Sequence, residues 1–329
     1  MTNKKTVVLI LKACVSISLL AFLLLNIEWQ KVFDNLRNAN IFLIAVAILL
    51  NIIERFEMTY KWNMLIKVRN ISVKYWRLFW INSIGSFLGL FLPSSLGTDV
   101  VRGYYLMKNN SEKAVSISSV FVDRVLGLFS LLVMGLIAVF LSEDVLAKYN
   151  LREIIVILFA ISTIAVYIFQ RNEVNDLLQK INKRFKSKKI SENILKLHTS
   201  ILEYKKYPKV VAISFIITLL VQVTRVLTFY IVALAFNIEV SIVYFFLFVP
   251  LIMIIMMIPI TIGGFGLREG TFVAFFTLVG MSINDAVVIT FVKSFLDTID
   301  TLILGGGAYL FYKSPSSEDL VIQKNKFDL

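Results

Sequence analysis

Residues 259–270 read PITIGGFGLREG, and they follow one of the most apolar runs in a chain of 329 residues. A stretch with the hydrophobicity of a membrane span breaks here into a proline, three glycines and then a charged Arg-Glu pair. Hydrocarbon offers no water to the backbone groups that such a break frees. The break is tolerated only where protein buries it or a polar cavity lines it. The reading of this segment therefore decides the reading of the whole chain.

The surroundings are those of a membrane protein. The sequence is 58% hydrophobic with a mean hydropathy of +0.79, well above the roughly 45–50% apolar content of soluble domains. Apolar segments fall at about 7–26, 39–53, 76–92, 117–141, 153–170, 209–236, 242–258, 271–280 and 285–312, several of them near the ~20 residues that span a bilayer. The expected fold is all-α: a polytopic integral membrane domain over 1–312 with a polar tail at 313–329. No polar segment is long enough for a conventional soluble catalytic domain. The N-terminal run begins with a signal-like basic start, but its length, its internal Lys12 and its lack of a small-residue cleavage site read as a retained span, with a signal peptide as the alternative.

The net charge of +12 does not point to nucleic acid, because Lys and Arg gather between the apolar runs, where membrane orientation and anionic headgroups draw them. One cysteine, Cys14, and one histidine, His198, exclude an internal disulfide, a Cys/His metal centre and Ser-His-Asp chemistry. His198 is expected to be a solvated loop residue. No cofactor and no metal are expected. GGFG is neither a dinucleotide nor a P-loop fingerprint, since no strand precedes it and the spacing differs.

Basic residues also orient the segments. Lys4 and Lys5 assign the N-terminus to the cytoplasm. The 54–77 connector, with Arg55, Lys61, Lys67, Arg69, Lys74 and Arg77, and the 171–209 loop, with eleven Lys and Arg, are assigned there too. Connectors 27–40 and 142–152 are roughly balanced and read as external. Segments 76–92 and 117–141 would then both start from the cytoplasm, so the chain between them has to return without crossing. A re-entrant hairpin broken at FLPSSLGTD and returning at Lys108 does this. A second hairpin, entering from outside, covers 242–258, the break PITIGGFG and 271–280. Segment 285–312 then runs inward to a cytoplasmic C-terminus. In the basic loop, Val174, Leu177, Leu178, Ile181 and Phe185 recur at helical spacing, as in an amphipathic helix on an anionic leaflet; a solvated connector is the alternative.

The two breaks match at identical offsets. Pro93, Ser95, Gly97 and Arg102 correspond to Pro259, Thr261, Gly263 and Arg268, giving P-x-[ST]-x-G-x4-R twice. Each is followed by an F-V-polar span, at Asp123 and at Lys293. Inverted repeats with paired broken helices are a transporter architecture, with substrate bound where the breaks meet. Freed N–H groups at Gly97, Gly263 and Gly264 and an arginine at the start of each return helix suit a phosphate or carboxylate. Arg102 and Arg268 are the first candidates for headgroup contact. Their alternative role is an internal salt bridge, to Asp99 or Asp123 for the first and to Glu269 for the second. Further intramembrane charges are Arg124, Arg225, Lys293, Asp297 and Asp300, candidates for a translocation path by their position alone. Lys293, Asp297 and Asp300 share one helix face. They line a path or carry a coupling proton, or form structural pairs with Arg225 or Arg124.

At these residues the chain resembles a known family. FLPSSLGTDVVRGYYL (91–106), FVDRVLGLFSLLVMG (121–135) and PITIGGFGLREGTFVAFF (259–276) are similar to the lysylphosphatidylglycerol synthase transmembrane-region family, the flippase-like module of the bifunctional aminoacyl-phosphatidylglycerol synthase/flippase. The resemblance runs over roughly residues 5–312. It departs at SSLGTD, where the family is often richer in glycine, and at Lys293, where an arginine is expected. The cytosolic aminoacyltransferase domain that follows the membrane part in the bifunctional protein has no counterpart in the sequence. The resemblance implies a multi-pass protein of the bacterial cytoplasmic membrane that translocates a phosphate-bearing lipid, such as an aminoacylated phosphatidylglycerol or a lipid-linked sugar, and a link to resistance against cationic peptides. Arg102, Asp123, Arg124, Arg268 and Glu269 lie on its motif positions. Its partners would be membrane phospholipids, a separately encoded synthase or a second copy of the chain. The alternative is a phosphatidylglycerol lysyltransferase-type enzyme, or a membrane subunit of one.

Overall fold

A computed structural model of the chain describes residues 2–25, 28–92, 97–108, 113–141, 153, 156–157, 159–164 and 188–311. Among these, every regular element is helical. The first half comprises α1 (Thr2–Leu25), α2 (Trp29–Arg37), α3 (Ile41–Lys67), α4 (Tyr75–Gly89), α5 (Gly97–Lys108) and α6 (Lys113–Leu141). After α7 (Lys188–Leu202) and a 3-10 turn (Glu203–Lys206) come α8 (Pro208–Ala235), α9 (Ile242–Ile255), α10 (Leu267–Thr277) and α11 (Ile283–Asp300). A π-helical turn (Thr301–Gly306) joins α11 to α12 (Gly307–Phe311). Pro93 and Ser95, the expected helix at 174–185, the 142–152 connector and the 313–329 tail lie outside the described residues.

Local sequence sets the helix ends. Asn40 caps α3, its side chain accepting from the N–H groups of Phe42 and Leu43 at 3.1 and 3.3 Å, and Ser282 does the same for α11 from Asp285. Both satisfy donors that a helix start leaves orphaned. Pro208 opens α8 at its first turn, where the missing N–H costs nothing. Helices α3 and α8 end alike. Asn70 and Asn237 adopt φ of 60° and 55°, and the following Ile71 and Ile238 N–H groups bond back to Ile66 and Ala233 at 3.2 and 3.0 Å. That is a left-handed C-terminal closure, written N-I-x-V in both places.

The long elements form one bundle. Helix α3 packs most extensively on α8, α4 on α5 and on the π turn, and α9 on α6. Two apolar clusters stiffen it. One is built on α8–α11, where Phe272 stacks on Phe276 with ring centroids 4.1 Å apart and Phe245 lies 4.6 Å from Phe276. The other joins Trp62, Ile66, Leu78, Ile81 and Leu106. Burial is otherwise inverted relative to a soluble protein. Phe295, Ile303 and Leu310 face outward, whereas Arg55, Lys61, Asn82, Arg102, Asp123 and Lys293 are buried.

Two expectations are corrected. The 54–77 segment is not a connector throughout, because α3 continues to Lys67 and buries Arg55 and Lys61, and α4 buries Arg77. Half the basic residues counted there as loop charges thus lie inside the bundle. A side chain neutralised by a facing carboxylate carries no topological signal. His198 is not in a solvated loop: it is buried on α7, which packs against α6. Beside it, Ser200 hydrogen-bonds Ser118 at 2.8 Å, and Tyr204 donates to the Leu65 carbonyl at 3.0 Å. Connector 27–40 also holds a helix, α2, which exposes Trp29, Phe33 and Leu36.

Candidate functional site

The second break is built from its glycines and one carboxylate. Gly263, Gly264 and Gly266 have φ of +60°, +81° and +80°, conformations that glycine adopts without steric cost. Glu269 sits in the first turn of α10 and is 1% exposed. It accepts from the Gly266 N–H at 2.6 Å and from the Ser294 hydroxyl. Its place in the motif is thereby explained as a cap that closes the helix start, with α11 holding the other oxygen. Helix α1 covers this break: the Ile262 N–H donates to Ser16 at 3.1 Å. The two breaks also touch. A Cβ placed on Gly263 would lie 2.9 Å from the Leu90 carbonyl oxygen, at the end of α4.

Beside these breaks lies a cavity of about 370 Å³, walled by α3, α4, α5, α6, α8, α9, α10 and α11. Seven basic and five acidic side chains line it, leaving an excess of two positive charges when all are ionised. On the α5–α6 side Arg102 is central. Its Nη2 donates to Asp99 at 2.5 Å and to Asp123 at 3.1 Å, and its guanidinium lies 5.0 Å from the Trp62 ring centroid. Lys61 reaches Asp123 at 3.0 Å, and Arg124 reaches Asp99 at 2.9 Å. On the α10–α11 side, Arg268 bonds Glu269 and Asp297, both at 3.2 Å, through different nitrogens. Lys293 pairs with Asp297 and donates to Asn51 at 3.1 Å. Arg55 pairs with Asp300 and donates to Thr301 at 3.3 Å. Arg225 pairs with Glu54 and donates to Gln222 at 2.9 Å.

Nine of the thirteen expected residues line this cavity: Asp99, Arg102, Asp123, Arg124, Arg225, Arg268, Lys293, Asp297 and Asp300. Glu269 lies behind Arg268. Gly97, Gly263 and Gly264 shape the breaks without lining the cavity; Gly97 is packed against Leu92. Arg268 stands in the first turn of its return helix as expected, but Arg102 stands in the second turn of α5, which begins at Gly97. The expected pairings also change. Asp297 and Asp300 are not held by Arg225 or Arg124 but by Lys293 and Arg268 and by Arg55. Arg102 binds Asp99 and Asp123 together rather than one of them.

Asn51, Glu54, Arg55, Lys61, Asn82 and Gln222 line the cavity and were not anticipated. The signal was present: Ala47, Asn51, Arg55 and Thr59 recur every fourth residue and run into Trp62 and Ile66, all buried. These charges also depress hydropathy. Among the described residues, only Lys113–Ala138 and Pro208–Ala235 are long and apolar enough by composition to cross a membrane, since α3 and α11 carry the charges of the cavity.

A bundle that is apolar outside, with its charges turned onto a central cavity, defines a helical membrane protein organised around a polar internal site. Comparison with known proteins makes this specific. The chain belongs to the lysylphosphatidylglycerol synthase transmembrane-region family, whose model matches residues 9–305. It is 24% identical to a UPF0104 membrane protein of Methanothermobacter thermautotrophicus, over 92% of this chain and 95% of that one. It is 22% identical to a UPF0104 membrane protein of Methanocaldococcus jannaschii, over 94% and 96%. No solved structure matches.

Proposed function

We propose that the protein moves a phosphate-bearing lipid between membrane leaflets, the headgroup passing through the polar cavity while the acyl chains stay in the bilayer. The observation that carries this reading is the cavity: twelve charged side chains with a positive excess, gathered where two helix breaks meet in an otherwise apolar bundle. Charges inside a membrane bundle mark substrate or ion paths, and arginines grip phosphate oxygens through two parallel hydrogen bonds. Arg124 and Asp297, each about a third exposed, are the most open of these side chains and meet the headgroup first.

The same reading takes the α3–α6 and α8–α12 halves as inverted repeats whose hairpins, α4–α5 and α9–α10, enter from opposite faces. Support comes from the packing. If α3 to α6 correspond to α8 to α11, then α3 on α8 is the contact on the pseudo-axis. The pairs α4 with the π turn and α9 with α6 are then the same contact made twice. The shared N-I-x-V closure precedes each hairpin by the same spacing, five residues from the asparagine to the start of α4 or α9.

Reconstitution in vesicles with a panel of labelled phospholipids and polyprenyl-phosphate lipids tests the proposal. Protein-dependent exchange of at least one phosphate lipid between leaflets is expected, and none for any lipid would overturn it. Lipid extracts from cells with and without the gene separate this from an enzyme: a missing lipid species would mean synthesis.

A further inference from the structure

A carboxylate that the proposed headgroup site does not use lies inside the bundle. Glu57 lies on α3, one turn after Glu54, so the two share a face. That face meets consecutive residues of α8. Glu54 pairs with Arg225, whereas Glu57 accepts a single neutral hydrogen bond from the Thr224 hydroxyl at 3.2 Å. The second oxygen of Glu57 is buried and takes no hydrogen bond. Charged groups approach from every helix packed on α3, and Glu57 forms no ion pair with any described residue. On α3 itself, Lys61 is committed to Asp123 of α6 and Arg55 to Asp300 of α11. On α8, Arg225 is held by Glu54; on α6, Arg124 by Asp99; on α11, Lys293 by Asp297. On α4, Arg77 is buried and Tyr75 donates to the Phe56 carbonyl at 3.0 Å. Of these two carboxylates one turn apart, Glu54 thus holds the arginine and Glu57 does not. In a low-dielectric bundle a charge without a countercharge is costly, and a carboxyl can avoid that cost by holding a proton.

We propose that Glu57 is a proton-binding site at the α3–α8 contact, exchanging its proton with water as the two helices change their packing. Headgroup movement through the neighbouring cavity is thereby tied to proton movement. Glu57 does not line the cavity, whereas Glu54, Met58 and Lys61 do, so proton and headgroup occupy adjacent sites and act on each other through α3. The coupling rests on the proposed lipid movement; the protonation does not.

Two measurements on the whole protein in phosphatidylglycerol vesicles separate these. Infrared titration should show a protonated-carboxyl band that is absent from Glu57→Gln. An identical band in that variant would overturn the site. If Glu57→Gln fails to fold, Thr224→Val serves instead: it keeps the carboxyl, removes its donor and should shift the band, and no shift would count against the site. Flipping of labelled phosphatidylglycerol is then followed under a gradient of about two pH units, which at one proton per lipid biases the leaflet ratio by up to about 100-fold. Wild type should follow the gradient, and Glu57→Gln should flip without following it. An unchanged gradient response in Glu57→Gln would overturn the coupling. Absence of flipping in wild type, for phosphatidylglycerol and for every other lipid of the panel above, would remove the transport reading and leave the infrared result to decide the proton site.

Discussion

Replacing Arg268 with lysine separates a phosphate grip from a structural ion pair. Arg268 reaches Glu269 through Nε and Asp297 through Nη1, both at 3.2 Å, a geometry one ammonium nitrogen cannot reproduce at both carboxylates. The carboxylates nonetheless keep other partners. Glu269 retains Ser294 and the Gly266 N–H, and Asp297 retains Lys293 and Asn51. The variant should therefore fold, losing about one charge-assisted hydrogen bond, on the order of 1.5–3 kcal/mol. If the same fork grips lipid phosphate as it passes, a further loss of about 1.5–3 kcal/mol falls on the barrier and slows flipping about 10- to 150-fold. Lysine keeps the charge but not the planar two-pronged contact. The assay is leaflet exchange of labelled lipid in vesicles at matched protein content, with thermal unfolding of the same preparations as the control. Arg102→Lys should behave alike. Near-normal flipping by both lysine variants and by Arg268→Gln combined with Glu269→Gln would refute the grip and leave these arginines as structural partners.

Other outcomes follow from the same geometry. Asp123→Asn strands Lys61 and should destabilise the protein by about 3–5 kcal/mol, seen as a lowered unfolding midpoint. Lys61→Met added to it should recover part of that loss, and a double variant no more stable than the single would contradict the pairing. Gly266→Ala forces a left-handed residue, at about 1–2 kcal/mol, and brings a methyl to 2.8 Å from the Ser16 carbonyl. Helix α1 should then become more accessible to protease, and unchanged cleavage would mean that α1 does not seal the break. A cysteine at Lys108 should be labelled from the cytoplasmic side and one at Asn284 from the external side; labelling of both from one side would remove the inverted hairpins.

The helix breaks were legible because proline, glycine and an Arg-Glu pair are conspicuous inside an apolar run. Asp123, Lys293, Asp297 and Asp300 were legible as charges where hydrocarbon was expected. What the sequence concealed was α3. Its polar stripe ends the apolar run at residue 53, so its C-terminal half looked like a basic connector. Whether Arg55 and Lys61 meet water or a carboxylate depends on Asp300 and Asp123, far away in sequence. Pairing was hidden for the same reason. The Lys293–Asp297 spacing announced itself at four residues, but Arg225 with Glu54 joins α8 to α3 and has no local signature. His198 shows the limit of composition, since a lone histidine among lysines carries no sign that its helix docks on α6.

The π-helical turn at Thr301–Gly306 has a consequence for tolerance to insertion and deletion. Such a turn holds one residue more than an α-helical turn but winds less per residue, so the extra residue is absorbed locally. Asp300 and Thr301 address Arg55 at one end of it, while Gly305 meets the Ser83 backbone of α4 at the other. Deleting one residue within 301–306 should let the turn rewind as α-helix with both flanks near their present registers, whereas a residue inserted within α11 would rotate everything beyond it by about 100°. The turn thus acts as a phase buffer: it is where this helix can lose a residue while its cavity-facing and α4-facing parts stay aligned.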